Sequence, residues 1–447
     1  MTATPNAPRG GGTWLERTLS RRIRIGRLTV LGPGTRERAF GTVPSDAPHL
    51  DVVVRLRDRR TAWKIAFRPD LYVGETYMDG ALTIEQGRLE DLLEIGLRNT
   101  GGPPQRNLLA RGLRALLHRL HQANSGERAR RNVVAHYDLS DVLYFNFLDS
   151  DRQYSCSYFP TPDLTLEQAQ EAKKVHLATK LLLQPGQRVL DIGCGWGGLA
   201  LTLARTGQGQ VTGITLSAEQ LAVARRRAEA AELDHRVSFA LEDYRALKGQ
   251  FDRIVSVGMF EHVGTPYYQA FFNKIAGLLT GDGVAVIHSI GRMDGPGVTS
   301  AWIRKYIFPG GYVPALSEVL PAVERAGLWV TDIEILRLHY AETLRHWRAR
   351  FTANLGPIRA KYGERFCRMW LFYLAASEMS FRHDGLMVFQ LQLARSVDAV
   401  PLTRDYITAR ESESIRKCGG IRPPLERVGA KPRTWSEGTP PDRLIAP

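Results

Sequence analysis

The chain has 447 residues, 43% of them hydrophobic and 24% charged, the proportions of a globular protein long enough for two cores. No apolar run approaches the roughly 20 residues that span a bilayer, and no charged-then-apolar leader opens the sequence. The net charge is +14, and residues 1–135 carry 23 Lys and Arg against 13 Asp and Glu, an excess that suits phospholipid headgroups, nucleic acid or plain solubility.

Residues 1–25 open with "MTATPNAPRGGG" and are expected to be disordered. Residues 26–100 read as a small α+β domain. Its β-type runs are "RLTVLG", "LDVVVRLRD", "TAWKIAF" and "LYVGETYMDGALTI", and the helix "LEDLLEIGLRN" closes it. Residues 101–130 hold a linker, "TGGPPQ", and a basic helix at 106–121 with Leu109, Leu113, Leu116, Leu117 and Leu120 on one face. Such a helix lies on an anionic membrane or docks on its own domain. Residues 131–400 form the larger domain, and 408–447 a flexible tail rich in Pro and Gly. Four cysteines (Cys156, Cys194, Cys367, Cys418) and eleven histidines show no paired or clustered spacing, so no metal is expected.

From 186 to 290 strand and helix alternate: "RVLDIGC", "GLALTLART", "QVTGITL", "SAEQLAVARRRAEAAE", "VSFALED", "FDRIVSVGMF", "YYQAFFNKIAGLL" and "GVAVIHSI". This pattern predicts an α/β fold, a Rossmann-like doubly wound sheet beside the smaller α+β domain. The turn "DIGCGWGG" follows the first strand. Its Gly193, Gly195 and Gly198 satisfy the dinucleotide spacing, but the next strand ends in Thr215, Ser217 and Gln220 with no carboxylate for a ribose. Asp191 before a tight glycine turn instead suits a cationic ligand without phosphate, S-adenosylmethionine. Asp243 and Tyr244, after the third strand, are placed to receive its adenine. Glu261 in "MFEHVG" and His288 in "IHSIG" end the fourth and fifth strands, and are expected to converge near the transferable methyl group.

Taken together, "YSCSYF", "LDIGCGWGG", "GITLSAEQ", "FDRIVSVGMFEHVG", "HSIG", "IFPGGYVP" and "YLAASEMSFR" are similar in order and spacing to segments of the cyclopropane-fatty-acyl-phospholipid synthases. The likeness is strong over residues 130–395, and "GETYMDGALTI" resembles the amino-terminal, lipid-associated domain of the longer members. The resemblance implies an S-adenosylmethionine-dependent methyltransferase that adds a methylene to the cis double bond of a phospholipid acyl chain, with bound bicarbonate as general base. It places Tyr154, Ser155, Asp191, the turn with Gly193, Gly195 and Gly197, Thr215, Gln220 and Tyr244 at S-adenosylmethionine. Cys156, Glu261, His288, the backbone of Ile290, and Tyr340 fall at the bicarbonate. It further implies a cytoplasmic enzyme at the inner membrane face, and a homodimer.

The chemistry accords with that set. A double bond is a weak nucleophile, so a sulfonium methyl must supply the electrophile, and the resulting cation must lose a proton for the ring to close. Methyl transfer needs no thiolate, so Cys156 reads as a polar contact. Tyr137, Tyr154, Tyr158 and Phe159 are candidates to line an acyl tunnel and stabilise the cation. Three other readings share the scaffold: a methyl-branched or methylene product, a small-molecule amine methyltransferase, and a lipid-binding protein without catalysis. Nucleic acid is not expected as a partner, because no base-flipping motif is present.

Overall fold

The computed structural model describes residues 14–32, 37–100, 141–207 and 209–417. The chain divides into two compact units. The basic helix expected at 106–121 and Tyr137 lie outside the described residues.

The first unit comprises residues up to 113 together with 299–309 and 351–384, so two segments inside the span assigned by sequence to the larger domain group with the smaller one. Its sheet runs β2-β1-β3-β4, built from β1 (Arg27–Leu31), β2 (Arg38–Phe40), β3 (Asp51–Leu56) and β4 (Leu82–Gln86). β1 and β3 are parallel, and the other pairs antiparallel. Leu28, Phe40, Leu50, Val52, Val54 and Ile95 form its core. The helix Glu364–His383 packs against helices Pro69–Met78 and Leu89–Thr100.

Three expectations for this unit are corrected. "TAWKIAF" is not a strand but part of the helix Arg59–Phe67. Asp58 caps it, its carboxylate accepting from the Thr61 amide at 2.8 Å and hydroxyl at 2.9 Å, which satisfies donors the first turn leaves free. Residues 71–78 of "LYVGETYMDGALTI" likewise lie in a helix, Pro69–Met78, with Pro69 at its first position, where a missing amide is harmless. Trp14–Arg22, inside the stretch expected to be disordered, is also helical. Leu15 and Leu19 hold it against Leu56, Leu82 and Ile84.

The second unit carries a seven-stranded sheet in the order β10-β11-β9-β8-β5-β6-β7. The strands are β5 (Arg188–Ile192), β6 (Gln210–Thr215), β7 (Val237–Leu241), β8 (Phe251–Val257), β9 (Leu279–Arg292), β10 (Trp329–Leu336) and β11 (Leu386–Ala394). β5 to β9 are parallel, and β11 lies antiparallel between β9 and β10. Alternate residues of β5 serve opposite faces, as the two-residue period requires. Leu190 and Ile192 pack with Ile254, Phe271 and Phe389, whereas Val189 packs with Leu203, Ala224 and Val255. Chain order reverses at β5, with β6 on one side and β8 on the other, so the crevice at their carboxyl ends is the place for a ligand. The expected tail begins later than 408, since the helix Asp405–Lys417 is built there, with Ile407 buried and Glu411 bonded to His176 at 2.5 Å.

Candidate active site

At the carboxyl ends of β5, β6 and β8 a pocket is lined by Tyr154, Ser155, Asp191, Gly193, Gly195, Thr215, Gln220, Asp243 and Tyr244, and also by Arg152, Trp196, Met259 and His262. Nine of the ten residues expected at the cofactor therefore share one cavity. Gly197 does not line it. It has φ +83°, and a Cβ there would come within 2.7 Å of the Phe239 ring and 3.0 Å of Ala224, so this glycine serves the packing beneath the turn. Gly195, at φ +54° with nothing within 4 Å of a built Cβ, leaves backbone bare toward the cavity.

Asp191, next to last in β5, is 1% exposed, and its Oδ2 is buried with no hydrogen-bond partner among the described residues. Burial raises its pKa to about 7, and nearby Lys173 pulls the other way. A buried, unpartnered carboxyl oxygen needs a donor, and a cationic ligand supplies one. The Thr215 hydroxyl donates to Gln220 Oε1 at 2.8 Å and accepts from the Ser217 amide at 3.2 Å, fixing the strand end to the helix Ala218–Ala230 that Ser217 caps. Asp243 is held by its neighbour. Arg245 donates Nε to Oδ1 at 2.8 Å and Nη2 to Oδ2 at 2.5 Å. Burial works upward on Asp243, but these bonds outweigh it and keep the carboxyl below its ordinary range. Oδ1 also accepts from the Arg245 amide at 3.0 Å, so the lone pair left for an incoming amine is on Oδ2.

The five residues expected at the second ligand lie outside the lining of that pocket. Glu261 sits on a 3₁₀ turn, Phe260–His262, just after β8. Its Oε1 accepts from the Ile290 amide at 2.7 Å, while Oε2 is buried without a partner among the described residues. The residue as a whole is half-buried, and desolvation raises its carboxyl to about 7 against the Ile290 bond. His288 stands opposite Gln390 across the β9–β11 ladder, with Gln390 Nε2 3.1 Å from Nδ1. That donor places the ring proton on Nε2. Burial first, then the charges of Lys173, Lys180 and His176, hold His288 neutral. Cys156 is buried, its Sγ 3.2 Å from the Ser157 carbonyl, and burial pushes the thiol far above its ordinary pKa. The Ser157 amide donates to Thr343 Oγ1 at 3.0 Å, tying this loop to the helix His339–Ala353, which also carries Tyr340. Tyr340 is 8% exposed and packs edge-on against Trp347 at 5.8 Å.

Neighbours in sequence join the two groups. Ser155 and His262 line the pocket, while Cys156 and Glu261 do not. Of the rings expected along an acyl tunnel, Tyr158 lies between His176, at 4.3 Å, and His339, at 5.2 Å, and Phe159 stacks on His346 at 5.7 Å; neither lines the cofactor pocket. Tyr154 does, backed by Tyr144 and Trp347.

Lys173 carries no signal in the sequence. It is wholly buried on the helix Leu166–Lys180, and Nζ donates to Ser155 Oγ at 2.8 Å and Gln153 Oε1 at 2.7 Å. In "LEQAQEAKKVHLATK" it reads as one of three ordinary surface lysines, and its partners are 18 and 20 residues away. His262, beside Glu261, also lines the pocket without a sequence signal, and burial lowers its pKa to about 4.

Residues 124–391 match the family model for mycolic acid cyclopropane synthetase. The cyclopropane-fatty-acyl-phospholipid synthase of Escherichia coli K12 is 37% identical over 362 residues, 80% of this chain and 90% of that one. A probable fatty acid methyltransferase of Pseudomonas putida is 44% identical over 267 residues, 58% of this chain and 68% of its own. Among solved structures, mycolic acid cyclopropane synthase CmaA1, complexed with SAH and CTAB, aligns with TM-score 0.56 at 35% identity, covering 59% of this chain and 98% of that one.

Proposed function

The chain belongs to the mycolic acid cyclopropane synthetase family, and from that premise we propose that it transfers a methylene group from S-adenosylmethionine to the cis double bond of an unsaturated phospholipid acyl chain, closing a cyclopropane ring. The observation that carries this reading is the pair of carboxyl oxygens, Asp191 Oδ2 and Glu261 Oε2, buried without a partner among the described residues, the first on a residue that lines the pocket and the second on the residue before His262, which also lines it.

Asp191 and the bare glycine turn would hold the amino-acid part of the methyl donor, and Asp243 and Tyr244 its adenine. The alkene π electrons form a C–C bond to the methyl carbon as the C–S bond breaks, leaving S-adenosylhomocysteine and a cation on the acyl chain. A proton then leaves the new methyl group, and its C–H electrons close the ring. Glu261 and His288 suit a small oxyanion that both donates and accepts, with the Ile290 amide holding Glu261 Oε1 in place. Bicarbonate, when bound there, supplies the base. Glu261 Oε2 would accept a hydrogen bond from it, the Nε2 proton of neutral His288 would donate one to it, and the buried surroundings would keep water from the cation.

Lipid analysis tests this. Expressed in a bacterium lacking cyclopropane lipids, the protein should yield fatty acid methyl esters heavier by one methylene and resistant to hydrogenation. A heavier species that hydrogenation alters, or a saturated branched chain, supports methyl addition without closure. The Pseudomonas relative, named a fatty acid methyltransferase, favours that second reading. No new lipid would remove both.

A further inference from the structure

The first unit exposes a stacked aromatic pair on a basic helix. The inward side of Arg59–Phe67 is ordinary: Thr61 is buried, and Ala62, Ile65 and Ala66 pack on Leu15, Leu56 and Leu82. Its outward side carries Trp63 at 63% and Phe67 at 58% exposure, their rings parallel within 3° and 5.4 Å apart. At i and i+4 the two rings share a face, and they cover each other rather than the core. Arg57, Arg59, Arg60, Lys64 and Arg68, all exposed, lie on or beside the same helix, Arg57 at 3.6 Å from Asp58 and Arg68 at 3.9 Å from Asp70. Residues 57–70 contain two acids, Asp58 and Asp70, and Asp58 is spent as the helix cap.

Resting on the reading that the substrate is a membrane phospholipid, we propose that this face docks the first unit on an anionic phospholipid bilayer, with Trp63 and Phe67 entering the interfacial layer and the five basic side chains meeting lipid phosphates. Large exposed apolar groups ringed by charge mark a binding surface. An aromatic ring with a polar edge favours the headgroup level, and basic residues add attraction to an anionic leaflet. Charge complementarity selects this occupant over a second copy of the chain, because a two-fold contact here would set the same five cations face to face.

The test uses the full chain and vesicles of phosphatidylglycerol with phosphatidylcholine, or phosphatidylcholine alone, in co-sedimentation at low and high salt. The wild type should bind the anionic vesicles, with salt weakening that binding. Trp63→Ser with Phe67→Ser should weaken it at least tenfold, and Arg60→Glu with Lys64→Glu should weaken it and flatten its salt dependence. Both variants should keep wild-type S-adenosylmethionine affinity by calorimetry, and wild-type mass by light scattering. Unchanged vesicle binding in the aromatic variant overturns the proposal, as does equal wild-type binding to neutral and anionic vesicles. A change of oligomeric state overturns it too, by making the face a contact between copies. If vesicle binding depends on the patch but no lipid product forms, the docking surface stands and the substrate reading falls.

Discussion

The Lys173 ammonium lies 2.8 Å from the Ser155 hydroxyl, so a buried cation grips the loop whose next residue is Cys156. Burial lowers the Lys173 pKa to about 8, with the Asp149 carboxylate drawing it back up. It therefore remains charged at neutral pH, where it pulls Asp191 toward ionisation and opposes a proton on His288.

Lys173→Met keeps the side chain's bulk and removes its charge and donors. It leaves Ser155 Oγ and Gln153 Oε1 without that donor, at about 1–3 kcal/mol for each buried group left unsatisfied, so the melting temperature should fall by several degrees. S-adenosylmethionine affinity should fall at least tenfold by calorimetry at a temperature where the variant is folded. A variant that melts earlier but binds normally would make Lys173 structural only.

Cys156→Ser should retain most activity, because a thiol pushed far above its ordinary pKa is not a nucleophile. The same burial predicts that iodoacetamide leaves Cys156 unmodified in the native enzyme, read by peptide mass spectrometry. Loss of more than about tenfold in rate from this near-isosteric change would point to a chemical role for sulfur.

Glu261→Gln keeps an oxygen for the Ile290 amide, which now sits 2.7 Å from Oε1, and deletes the titrating oxygen. Activity should drop by about 10²- to 10⁴-fold, the range for a group that governs proton transfer. S-adenosylmethionine binding should be unaltered, since Glu261 does not line that pocket. A parallel loss of affinity would mean that the turn Phe260–His262 had moved, taking His262 with it.

The alternating apolar runs from 186 to 290 made the sheet legible, because each strand and helix there buries a face of its own period. "TAWKIAF" misled, since its apolar residues fit alternation and a helix equally, and only the Asp58 cap and Pro69 break the tie. Asp191, Thr215 and Tyr244 were legible because strand ends and turns in this fold converge on one crevice. Lys173 was not, because its burial is decided by Gln153 and Ser155 arriving from another segment. Nor was the place of Tyr158, whose partners His176 and His339 lie on different helices.

Asp191 gives the pH dependence its sign. Its pKa is raised from 3.8 to about 7 by burial, so in the apo protein it contributes stability that is fully present below its unfolded pKa and is lost as pH rises through about 7. A cationic ligand reverses this, because the ionised carboxylate that the fold disfavours is the form that holds the ligand. S-adenosylmethionine affinity should therefore rise between about pH 6 and 8 and then level off, and the melting shift the ligand induces should grow over the same window. Asp191→Asn should bind more weakly with that pH dependence gone, and its apo form should lose less stability than the wild type as pH is raised from about 4 to 8. Calorimetric titration across this range decides it. A wild-type affinity that stays flat would remove Asp191 from the ligand set and leave its unpartnered oxygen without an occupant.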